Sequence, residues 1–198
     1  MYTKLSYDLS NDTPIPAGLP PVRIEQISDI ELGDVSNLFK LQVCNHCGTH
    51  IDGPWHFNPR GKKISDFPIE YFFFDRPMIV DIPKGDSELV MAEDLTPFQS
   101  QLGNCDLLLL RTGFAQHRAH NRQRYISNNP GLSVEVARYL TAQFPNIRAL
   151  AIDTISIAAN EHLDEGLEAH RIFFRSIEHP VLLIEDVNLP FELEKPSK

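Results

Sequence analysis

No apolar run in these 198 residues approaches the ~18 needed to cross a membrane. The opening Met1-Tyr2-Thr3-Lys4-Leu5 lacks the apolar core of a secretory signal. Cysteine is scarce and odd in number, with Cys44, Cys47 and Cys105 only. A disulfide framework is therefore not expected, and a reduced, cytoplasmic protein is. Cys44 and Cys47 form Cys-x-x-Cys, but no second pair follows to complete a zinc or redox motif. Positive charge is in deficit, with 18 Lys and Arg against 27 Asp and Glu and a net charge of −9. That balance excludes an electrostatic footprint for nucleic acid. The one basic stretch, His117, Arg118, His120, Arg122 and Arg124, reads as a solvated loop or a segment facing substrate or another subunit. Internal repeats and low-complexity segments are also missing.

What is present suits a single domain over residues 1–198, with 42% apolar residues and length enough for a sizeable core. Residues 11–40 carry Pro14, Pro16, Pro20 and Pro21 and predict an irregular arm or lid. The same arm holds Ile15, Leu19, Val22, Ile24, Ile27, Ile30 and Leu32. Such a row predicts burial against a neighbouring subunit, and so a homodimer or larger assembly. Residues 36–43 alternate in polarity over part of their length and predict a strand. Residues 77–82, 105–110, 147–152 and 181–184 predict buried strands, and 92–102 a short helix weakened by Pro97. Ser133 is placed to cap a helix running through Phe144, with Val136, Leu140 and Phe144 on one stripe. Strand and helix patterns alternate in the second half, which predicts an α/β protein.

The densest chemistry lies in residues 46–56, where His46, His50, Asp52 and His56 supply imidazole and carboxylate donors of the kind Zn²⁺ and Mn²⁺ accept. All four are even-numbered, so an extended chain would turn them to one face. A helix would also align His46 with His50, but Gly48, Gly53 and Pro54 oppose one. The expectation is an extended segment that breaks at Gly53-Pro54. Gly48 is expected to allow close packing beside a metal, and the Thr49 hydroxyl to orient a ligand. Further along, His170 and Glu185 could complete a metal shell. Read from residues alone, each is equally an ordinary residue of its surroundings.

His-x-Gly-Thr-His-x-Asp-x-Pro-x-His resembles the signature of the cyclase family of metal-dependent hydrolases, which includes bacterial kynurenine formamidases and isatin hydrolases. Tyr7-Asp8-Leu9-Ser10, Leu109-Leu110-Arg111-Thr112-Gly113 and Ala151-Ile152-Asp153-Thr154 resemble further family segments in the same order. So do Ala169-His170-Arg171 and the residues from Leu183 to Leu189. The resemblance implies a layered β/β/α fold of the swivelling type. It also implies that His46, His50, Asp52, His170 and Glu185 hold one or two divalent ions, Zn or Mn, with the aspartate bridging. His56 is then the proton donor and acceptor. The family's gap between the late His and Glu is shorter. Residues 174–180 read as a loop insertion, leaving Glu178 and Asp186 as alternatives to Glu185.

A divalent ion lowers the pKa of bound water from 15.7 towards ~7, and an imidazole of ordinary pKa near ~6.5 can carry the protons. The expected function is hydrolysis of a C–N bond in an amide, N-formyl or cyclic amide of small size. A cyclase or lactone-acting enzyme, or a metal-stabilised binding module without turnover, are the alternatives. Trp55, with Phe57 and Tyr71-Phe72-Phe73-Phe74, offers aromatic surface for a substrate or for core. The formamidases carry an aromatic in the early Pro-rich segment, whereas Pro14-Ile15-Pro16-Ala17-Gly18-Leu19 has none. Arg111 reads as a structural ion pair or a clamp for a substrate carboxylate.

Overall fold

The computed structural model describes residues 3–193. Within the arm, β1 (Arg23–Ser28) and β2 (Leu38–Gln42) pair antiparallel, so this part is a hairpin rather than irregular chain. The prolines precede β1 and remove no ladder donors. Across the ladder Ile24 faces Leu41 and Gln26 faces Phe39. Thr13 and Val22 are buried, while Ile27, Leu32, Val35, Phe39 and Leu41 of the hairpin are exposed.

β3 (His50–Asp52) carries only the centre of the histidine motif. β4 (Pro77–Asp81) and the short β5 (Leu89–Val90) follow. The helix expected at 92–102 is divided into α1 (Ala92–Leu95) and α2 (Gln99–Leu102) by a 3-10 turn containing Pro97, whose ring and missing N–H oppose a continuous helix. Then come β6 (Leu107–Arg111), α3 (Gln116–His120), α4 (Arg122–Ser127) and β7 (Gly131–Leu132). α5 (Val134–Gln143) begins where expected, the Ser133 hydroxyl accepting from the Val136 amide. β8 (Ala149–Ile152), α6 (Leu163–Phe173) and β9 (Leu182–Glu185) complete the order.

The main sheet runs β3-β9-β8-β6-β4, parallel except for β3, which pairs antiparallel to β9 at the edge. The expected α/β class is therefore realised as a mixed five-stranded sheet with helices. Both faces of the parallel strands are covered, which explains their near-continuous apolar runs. On one face Leu108, Leu110, Leu150, Ile152 and Leu183 pack with Val136, Ala137 and Leu140 of α5 and Ala169 and Phe173 of α6. On the other, Ile79, Leu109 and Ala151 meet Val187 and Leu189. Glycine is required where α6 crosses the loop after β8. A Cβ on Gly166 would stand 2.3 Å from Ala158, so only glycine allows this approach.

Candidate metal centre

Alternation along β3 turns His50 and Asp52 to one side and packs Ile51 on the other, against the cluster of Phe67, Ala149 and Leu182. The even-number rule accounts for those two residues only. His46 arrives from a turn in which Gly48 adopts φ 61°. His56 arrives from the 3-10 turn Pro54–His56, which Pro54 initiates. α6 supplies His170 and the last residue of β9 supplies Glu185, directly opposite His50 in the strand register. The group thus gathers at the carboxyl end of β9, where the parallel strands of such sheets open into a crevice.

Donor atoms of His46, His50 and Asp52 lie within 4.8 Å of one another, and so do those of Asp52, His170 and Glu185. Asp52 belongs to both sets. Its Oδ1 is 3.2 Å from His46 Nδ1 and 3.7 Å from His50 Nε2, while Glu185 lies 3.5 Å from both His50 and His170. Backbone carbonyls fix the ring tautomers. His50 Nδ1 donates to Gly48 O at 2.8 Å and His170 Nδ1 to Gly166 O at 2.7 Å. A carbonyl can only accept, so each Nδ1 carries a proton and Nε2 is the ring nitrogen that faces the carboxylates. Asp52 Oδ2 is buried without a hydrogen-bond partner. Crowded carboxylates, ring nitrogens gathered around them and one orphaned oxygen fit a divalent cation.

Electrostatics agree with that chemistry. The Asp52 hydrogen bond raises the pKa of His46, burial opposing it. Burial pushes Glu185 up, but the His170 hydrogen bond, the His170 and His50 charges and the Ile157 amide outweigh it, leaving the carboxyl at about 2. His56 moves the other way. Burial lowers it, and the charges of His46 and His170 add to the effect against Asp52 and Glu185. His56 Nε2 stands 4.0 Å from Asp52 Oδ2, and its side chain is 34% exposed, more than those of His46 or His50. It belongs to neither donor set.

The alternatives to Glu185 lie elsewhere. Glu178 is exposed on the loop after α6. The Asp186 carboxylate is buried against Arg118 and Tyr125. In the basic stretch expected as a solvated loop or a segment facing substrate or another subunit, Arg118 is mostly buried and paired, so the solvated reading does not hold for it. Thr49 does not reach a ligand side chain; its hydroxyl donates to the Asp186 carbonyl at 2.5 Å and accepts from the Tyr7 amide. A Cβ on Gly48 would make ordinary contacts only, so this glycine serves the left-handed φ rather than close packing. Trp55 is 56% exposed beneath Lys63, and Tyr71, Phe72 and Phe74 pack into the core. Arg111 is buried against Asp81 and the Pro190 carbonyl, which is the structural reading.

Three supports escaped the sequence. Ser156 and the Ile157 amide both donate to Glu185 Oε1, at 3.0 and 2.8 Å. Asp153, fully buried, accepts from the Thr112 amide and hydroxyl and the Gly113 amide, joining the ends of β8 and β6. The available signal was topological, since Arg-Thr-Gly and Ile-Asp-Thr each end a strand of one parallel sheet.

A family model named Cyclase matches residues 3–159. The chain belongs to the cyclase family. Among its relatives, a kynurenine formamidase of Bacillus cytotoxicus is 30% identical over 185 residues, covering 93% of this chain and 81% of its own. An uncharacterized protein of Haemophilus influenzae is 33% identical over 114 residues, covering 58% and 80%. The cyclase-family fold recurs in isatin hydrolase A of Labrenzia aggregata. That match has a TM-score of 0.78 at 20% identity, over 97% of this chain and 82% of that one. The Ralstonia solanacearum isatin hydrolase A gives 0.76 at 17%, over 95% and 81%.

Proposed function

We propose that this cyclase-family chain is a metal-dependent hydrolase that opens a C–N bond in a small amide, N-formyl or cyclic amide. The observation that carries the reading is the pair of donor sets sharing buried Asp52, with His56 beside them and outside both. The kynurenine formamidase relatives support the bond type. His46, His50, Asp52, His170 and Glu185 would hold one or two divalent ions, Zn or Mn. Such an ion, when bound, supplies Lewis acidity towards water and a carbonyl oxygen.

The chain's own part is positioning and proton transfer. The Gly48 and Gly166 carbonyls hold two imidazoles in one tautomer, and Ser156 with the Ile157 amide holds Glu185. His56, as the neutral imidazole, takes a proton from the attacking water and returns it to the leaving nitrogen as the C–N bond breaks. Its place outside both donor sets and its partial exposure favour this role over that of a purely structural module. A homodimer or larger assembly, with the arm covering the space above His56, is part of the same proposal, supported by the exposed apolar residues of the hairpin. The three free cysteines suit a reducing compartment such as the cytoplasm.

Metal analysis of the purified protein, followed by assays on N-formylkynurenine, isatin and simple lactones, tests the reading. Replacing His56 by Ala should leave the metal in place and reduce turnover by about 10²–10⁴-fold. Loss of metal and fold together in that variant would support the structural module instead.

A further inference from the structure

Asp186 is one of only two non-glycine residues at positive φ among those described, at φ 53°, and it follows Glu185 directly. All of its polar groups are engaged, and it is 1% exposed. Its amide donates to the Thr154 carbonyl at 2.8 Å. Its carbonyl accepts the Thr49 hydroxyl. Its carboxylate accepts Arg118 through two nitrogens, both at 2.7 Å, and the Tyr125 hydroxyl at 2.6 Å. Arg118 in turn lies 3.7 Å over the Tyr7 ring.

Each attachment leads to a different part of the donor group. Thr49 adjoins His50. Thr154 begins the loop whose Ser156 and Ile157 bond Glu185. The left-handed turn itself ends β9 at Glu185. A backbone conformation of this kind persists where its surroundings over-determine it. Here the bidentate arginine and the tyrosine do so, by fixing the side chain of the residue that must turn.

We propose that Asp186, clamped by Arg118 and Tyr125, is a positioning residue that sets the mutual geometry of His50 and Glu185, and through it the affinity and coordination of the metal centre. The inference rests on the reading of those residues as ligands. A side chain that served stability alone could be altered without changing how a bound ion is held.

Zn²⁺ affinity by chelator competition and the visible absorption of bound Co²⁺ test this without any substrate. Asp186→Asn keeps the size and the tolerance for the turn but cannot accept the bidentate pair. It should remain folded, bind Zn²⁺ about 10–100-fold more weakly and shift the Co²⁺ spectrum. Tyr125→Phe removes one hydrogen bond from outside the turn and should do the same to a smaller degree, which keeps the test valid should Asp186→Asn fail to fold. Folded variants with the native Zn²⁺ affinity and Co²⁺ spectrum would overturn the clamp. A native protein that binds neither ion would instead overturn the metal reading, and the clamp with it.

Discussion

His56 sits among charged neighbours yet is displaced towards neutrality, burial being the largest cause. The sign of the consequence is fixed. A histidine whose pKa lies below its usual 6.5 loses its proton at lower pH, and only the neutral ring can accept one from water. Activity should therefore rise with pH through a midpoint below 6.5 and hold across the neutral range, as measured in kcat/KM. A pH profile with the same midpoint in His56→Ala would contradict His56 as the base. At this scale the sequence was informative where donors were close together, as in residues 46–56. It offered Asp186 only as an alternative ligand and was silent about its partners Arg118 and Tyr125, which stand 68 and 61 residues away. No local spacing announces a contact that only the folded sheet creates.

Among the elements, the hairpin of β1 and β2 is the least supported by its own chain. A two-stranded ribbon is marginal in water, and every residue of β2 is exposed. Half-buried Ile24 and exposed Leu41 and Phe39 share one face across the ladder. Placing charges there, with Phe39→Glu and Leu41→Glu together, should convert an assembled protein into monomers in sedimentation. The metal content of the core should be unchanged. An equally large assembly in the double variant would assign these residues to the surface. The parallel strands were legible because burial on both faces makes them continuous apolar runs. Of the hairpin, β2 was legible as the strand expected at residues 36–43, whereas β1 was not, because four prolines dominate its approach and conceal the alternation that begins after them. β3 was legible only in part, since the turn at Gly48 and the break at Pro54 leave it three residues long.

For the whole molecule, a site that recruits β3, α6 and β9 joins distant parts of the chain, so an ion bound there couples to global stability. At an ion concentration ~100-fold above Kd, binding contributes about 2.7 kcal/mol. Chelation should accordingly lower the melting temperature by about 5–10 °C for a chain of this size, in a reversible manner. An unchanged melting curve would place the ion, if any, outside this group. The edge position of β3 carries a different consequence, for how the protein is made. This strand has a neighbour on one side only, and three residues specify how it pairs. A slip by one residue would set Ile51 opposite Glu185 and turn His50 and Asp52 into the apolar layer of Phe67 and Leu182. A chain so mispaired has no two donor sets to offer. Metal capture would then act as a proofreading step in biogenesis, withholding the ion from molecules whose edge strand has docked one residue out of place.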